Sequence, residues 1–85
     1  QPNLAEAHSN LGNILNDLGK LKEAEVSIRK AIQLNPDFAE AYLTLGSILS
    51  YSGKEIESNE CYNKSINLKP WSIIAAWRIN NLGRT

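Results

Sequence analysis

Eighty-five residues leave room for one small domain with a thin core. Nine basic side chains balance nine acidic ones, so the chain lacks the net positive charge that nucleic-acid phosphates or anionic membrane surfaces select. The single cysteine, Cys61, excludes an internal disulfide, and the longest apolar run, Ile73 to Trp77, falls far short of the ~20 residues that cross a bilayer.

Leu4, Ala7, Leu11, Ile14, Leu15 and Leu18 recur at three- and four-residue spacing, which predicts an amphipathic helix over 4–17. Asn3 stands where an N-cap belongs, with Glu6 three residues on. Gly19 supplies the left-handed residue that ends a helix. The same periodicity restarts with Leu21, Ala24, Ile28, Ala31, Ile32 and Leu34, predicting a second helix over 21–34. Asn35-Pro36 closes it, because proline has no N–H and drives the preceding residue out of helical geometry. Asp37, with Glu40 three residues later, predicts a capped third helix over 38–51. Gly53 repeats the break before a fourth helix over 55–68, and Ser72 is placed to cap a fifth over 72–82. No strand-like alternation competes.

These elements repeat. The prolines stand at 2, 36 and 70, and fourteen columns are identical between residues 1–34 and 35–68, among them Leu11-Gly12 with Leu45-Gly46 and Gly19-Lys20 with Gly53-Lys54. A fixed period of this length signals a repeat architecture, in which one helical hairpin buries its apolar face only by stacking on the next.

In these residues the chain resembles the tetratricopeptide repeats. The first repeat carries the family's pattern of small and large residues as Leu11, Gly12, Leu15, Ala24, Ile28, Ala31 and Pro36. The second carries it as Tyr42, Leu45, Gly46, Leu49, Ser58, Tyr62, Ser65 and Pro70. The resemblance implies an all-α fold, a right-handed superhelix or α-solenoid of antiparallel helix pairs with about five helices. It implies one domain over 1–85: repeat 1 at about 3–36, repeat 2 at about 37–70 and a partial third repeat or capping helix at 71–85. Gly12 and Gly46 are expected to let the paired helices approach closely. Glu55 stands where repeat 1 has Leu21, with Ile56 about 100° further round, so the fourth helix is expected to pack less well or begin rotated. The ends of the sequence suggest a segment of a longer array.

The resemblance also implies a concave groove lined by the first helix of each repeat. Its register places Glu6, Ser9, Asn10, Asn13, Asn16 and Asp17 there, then Glu40, Leu43, Thr44, Ser47, Ser50 and Tyr51, then Ile74, Trp77, Arg78, Asn81 and Arg84. Amide and hydroxyl groups of this kind bind an extended peptide backbone without demanding one sequence. The peptide-binding residues expected from this register are Asn10, Asn13, Thr44, Ser47, Trp77, Arg78 and Asn81. The family's dicarboxylate clamp fits poorly: Asn13 and Arg78 match, but Ser9, Thr44 and Ile74 fill its other three positions. Ser9-Asn10-Leu11-Gly12-Asn13 is similar to the asparagine-ladder repeats of the O-linked N-acetylglucosamine transferase, yet the ladder position becomes Thr44 and then Arg78.

The remaining polar residues read as structure. His8 aligns with Tyr42 and is expected to pack between helices, and no ligand spacing links it to Cys61. Glu55, Glu57 and Glu60 read as a solvated face. No phosphate loop or nucleophile–histidine pair is present, so the chain is read as non-enzymatic and without cofactor or metal. The expected function is a cytoplasmic protein–protein interaction scaffold that holds a protein or peptide ligand, not nucleic acid or membrane. The alternative is a self-assembly element. Charge favours that reading through an acidic middle (two basic and five acidic residues in 35–68) and a basic end (three basic and none acidic in 69–85), with a homo-oligomer formed through the apolar C-terminal helix.

Overall fold

The computed structural model describes residues 3–68, which form four helices and no strand. These are α1 (Leu4–Asp17), α2 (Leu21–Leu34), α3 (Ala39–Tyr51) and α4 (Glu55–Leu68). The expected fifth helix over 72–82, with Trp77, Arg78 and Asn81, lies outside the described residues, as does the proposed C-terminal contact between copies.

Local chemistry explains where each helix stops. Asn3 Oδ1 accepts a hydrogen bond from the Glu6 N–H at 3.3 Å, satisfying one of the donors that a helix start leaves open. At the far end Gly19 takes φ +79°; the Gly19 N–H donates to the Asn16 carbonyl at 3.0 Å and the Lys20 N–H to the Leu15 carbonyl at 2.9 Å. That double bond is a Schellman closure. The second repeat copies it: Gly53 has φ +82°, and Gly53 and Lys54 donate to the Ser50 and Leu49 carbonyls at 3.0 and 2.8 Å.

Asp37 does not cap α3. Asn35 is extended before Pro36, and its side-chain oxygen takes the Asp37 N–H at 3.2 Å while its carbonyl takes the Phe38 N–H at 3.1 Å. This turn holds Asp37 outside the helix, which starts one residue later than expected, at Ala39, with Phe38 in the N-cap place and no side-chain cap.

Each hairpin closes around a glycine. A Cβ on Gly12 would collide with Ile28 of α2, and one on Gly46 would lie 2.7 Å from Cε1 of Tyr62 on α4. Both glycines therefore permit the close approach expected of them. Ser58, where repeat 1 has Ala24, adds a buried hydrogen bond of 2.6 Å from its hydroxyl to the Gly46 carbonyl. Between hairpins, Ala24, Ile28 and Ala31 of α2 join Ala41, Leu45, Ile48 and Leu49 of α3 in one continuous core. Full burial of a residue such as Ile28 stabilises by about 1.5–3 kcal/mol. The seam between repeats, rather than either hairpin alone, is where the chain excludes water.

The fourth helix packs less well, as Glu55 at the Leu21 position suggests. Leu21 is half-buried against the core, whereas Glu55 and Ile56 are exposed, and only Ser58 and Ser65 of α4 are buried.

Candidate groove on the first helices

α1 and α3 touch each other directly, on the side of the molecule where the first helices of the two hairpins lie next to one another. One hydrogen bond fixes which faces meet: the Thr44 hydroxyl donates to Asn13 Oδ1 at 2.8 Å. Both residues were expected in the groove, and they are 31 residues apart in sequence.

From this bond the helical period defines two rows. Glu6, Asn10, Asn13 and Asp17 follow four-three-four spacing on α1, and Glu40, Thr44, Ser47 and Tyr51 follow it on α3. The two rows are the same positions shifted by one repeat. On α1 all four residues are exposed; on α3 Glu40 and Tyr51 are exposed, while Thr44 and Ser47 are half-buried. Leu43 and Ser50 flank the α3 row and are also exposed. The basic residues among those described, Lys20, Lys22, Arg29, Lys30, Lys54 and Lys64, all lie on α2, α4 or the corners. The rows thus present amides, hydroxyls and carboxylates, with no cation of their own.

Two residues expected in the groove do not line it. Ser9 is buried at 3 % exposure with Ala5 and Gly12, on the face of α1 that meets its own hairpin partner. Its offset from Asn10 by one residue turns it about 100° away from the open face. Asn16 is half-buried for the same reason, and its Oδ1 is enclosed without a hydrogen-bond partner. Of the two residues that matched a carboxylate clamp, Asn13 has its Oδ1 engaged by Thr44, and Arg78 lies outside the described residues.

The opposite face carries little that reacts. Arg29 Nε donates to Glu25 at 2.9 Å and its Nη2 lies 3.9 Å from Glu57, an exposed network linking α2 to α4. Cys61 is half-buried, and burial pushes its thiol pKa up; Arg29 opposes the shift, while Glu57, Glu60 and Glu25 reinforce it. A thiol held protonated is a poor nucleophile. His8 is half-buried on α1, and Lys64 Nζ sits 6.0 Å above the ring of Tyr42, the residue aligned with His8. Among the described residues no three His, Cys, Asp or Glu side chains converge as a metal site would require, and no helix is long and apolar enough to cross a membrane.

The sequence reading missed one feature. Leu4, Leu11, Ile14 and Leu18, part of the apolar spacing that predicted α1, are exposed, and α1 uses Ala5, Ser9 and Gly12 against α2 instead. Alignment with α3 exposes the reason: the corresponding Ala41, Leu45 and Ile48 are buried against the preceding helix, and α1 has no described helix before it.

Comparison with known proteins agrees with this geometry. Family models described as tetratricopeptide repeat match residues 5–38 and 39–70. No curated protein sequence matches the chain. Among 56 matching chains of known structure is one titled "Crystal structure of MamA", with a TM-score of 0.76 and 33% identity. That match covers 78% of this chain and 39% of the other, so the chain spans well under half of the protein it resembles. Two family-model matches, one over each hairpin, leave one conclusion: the chain belongs to the tetratricopeptide-repeat family.

Proposed function

We propose that this chain holds an extended peptide segment of a partner protein along the α1 and α3 rows, as a non-enzymatic scaffold. The Thr44–Asn13 hydrogen bond carries the reading. It ties the open faces of successive first helices into one surface and orients the amides and hydroxyls that flank it. Asn10, the Asn13 amide nitrogen and the Ser47 hydroxyl then offer donors and acceptors at the spacing of the helix turns. A peptide in extended conformation presents complementary groups every second residue. Exposed Leu43 and Tyr51 add apolar contact next to the polar rows.

Selection of random dodecapeptides on the immobilised chain, followed by fluorescence anisotropy with the winners, tests the proposal. Asn10→Ala, Asn13→Ala and Ser47→Ala are each expected to weaken binding by roughly tenfold, the loss of one or two hydrogen bonds. Asn10→Ala and Ser47→Ala should melt near wild type, whereas Asn13→Ala also loses the bond from Thr44 and should melt a few degrees lower. Peptides that bind equally well to the triple variant would refute a role for these rows.

A further inference from the structure

The two rows of the groove carry charge of one sign. Glu6 and Asp17 stand on α1 and Glu40 on α3, all exposed, and none of the basic residues among those described lies on either row. The chain as a whole has no net charge, so the asymmetry is one of distribution. Cations are gathered on α2, α4 and the corners, and the first helices keep a face of negative potential.

Glu6 and Asp17 make no ion pair among the described residues, where the ion pairs are those of Arg29 with Glu25 and Glu57. Asp17 is also placed against its own helix. It is the last residue of α1, where the carbonyl end carries partial negative charge, and no basic side chain stands in the last turn of α1 or of α3. A cation from outside relieves both the carboxylate and the dipole. Tyr51 is the last residue of α3, at the place that Asp17 holds in α1, and it is 71 % exposed. The rows, joined by the bond from Thr44 to Asn13, thus finish in a carboxylate on one helix and an aromatic ring on the other. Carboxylates and ring faces attract the same chemistry, the head group of a lysine or arginine.

We propose, resting on the groove function above, that the segment held there is basic. Its lysine or arginine side chains meet Glu6 toward one end of the α1 row and Asp17, with Tyr51, at the other. The spacing fits. Glu6 and Asp17 are about 16 Å apart along α1 at ~1.5 Å per residue. Two side chains on one face of an extended segment, four residues apart, span ~13 Å at ~3.3 Å per residue, and the flexible stem of either basic residue covers the difference. Asn10, Asn13 and Ser47 then face the backbone between them. An acidic segment would instead set like charge against the carboxylates of both rows.

Sequencing the dodecapeptides selected on the chain at low salt tests the proposal. Lysine and arginine should be enriched at least twofold over the starting library, recurrently four residues apart. By fluorescence anisotropy the selected peptides should bind the Glu6→Gln, Asp17→Asn double variant about tenfold more weakly. Their affinity should also fall as sodium chloride shortens the screening length from ~10 to ~3 Å. Glu55→Gln with Glu60→Gln removes the same charge from α4 and should leave affinity within about twofold of wild type. All four side chains are exposed, so circular dichroism should show both double variants folded. A pool that depends on Asn10 but shows no basic enrichment would leave the groove in place and overturn the proposal. A basic pool weakened equally by both double variants overturns it too, because charge then acts without the rows. Binding indifferent to Asn10→Ala and to the Glu6, Asp17 double variant overturns the groove and its charge preference together.

Discussion

Gly12→Ala measures how tightly the first hairpin is closed. In an exposed helix this substitution stabilises by about 1 kcal/mol, through lower backbone entropy in the unfolded chain. Here the new methyl would overlap the side chain of Ile28 and stand 3.3 Å from the Ala24 carbonyl oxygen. Ile28 is fully buried, so its side chain has no open space to enter, and the Ala24 carbonyl is backbone. Overpacking of that kind costs about 1–3 kcal/mol, and the backbone contact places it near the upper end. The net expectation is a loss of about 2 kcal/mol, or roughly 8–16 °C in melting temperature for a domain of this size. Urea unfolding followed by circular dichroism reads it directly. Ile28→Ala removes both clashing atoms, Cγ1 and Cδ1, and alone costs about 2–5 kcal/mol. Combined with Gly12→Ala it should cost less than the sum of the two, by about 1 kcal/mol or more, because the introduced methyl fills the vacated space. A Gly12→Ala variant more stable than wild type, or two changes that simply add, would refute the close packing of α1 on α2.

Other perturbations report on separate parts of the account. Ser58→Ala removes the buried bond to the Gly46 carbonyl and should lower unfolding stability by about 1 kcal/mol; Ala24 at the same place in repeat 1 shows that the backbone accepts alanine there. Gly19→Ala and Gly53→Ala meet no atoms, so each should cost only the strain of a left-handed residue, about 1–2 kcal/mol by chemical denaturation. Cys61 should react with iodoacetamide more slowly than a free peptide thiol at pH 8, since burial raises its pKa. A raised native pKa favours the protonated thiol, so its contribution to stability is complete below the unfolded pKa of about 8.5 and declines as pH rises through the native value. Denaturation midpoints of wild type and Cys61→Ser should therefore differ most at neutral pH, and the wild-type advantage should shrink as pH rises above the unfolded thiol's pKa.

Most of the fold was legible because its signals are local and repeated. Gly19 and Gly53 end their helices at the positions glycine must occupy for a left-handed closure, and Pro36 ends α2 through its effect on Asn35. Gly12 and Gly46 could be read as points of close approach through the family resemblance that their recurrence supports. Competition between side chains was not legible in the same way. Asn35 and Asp37 are both good capping residues, and only the folded turn shows that Asn35 takes the Asp37 N–H and keeps Asp37 out of the helix. The facing of α1 was hidden for a different reason. Its apolar residues carry two seams at once, one of small residues toward α2 and one of large residues that stays exposed, and periodicity favours the larger. Ser9 illustrates the consequence, since a polar residue beside Asn10 reads as solvent-facing until the small-residue seam is recognised as the buried one. In the groove, the partnership of Thr44 with Asn13 depends on how one hairpin leans on the next, which no spacing within a single helix encodes.

Intermolecular nuclear Overhauser effects from a selected peptide to the chain give the most direct reading of where a ligand lies. Contacts to Asn10, Asn13, Thr44 and Ser47 together, spanning α1 and α3, are the result the account predicts. Contacts confined to α2 and α4, on the face that carries Arg29 and Cys61, would contradict it.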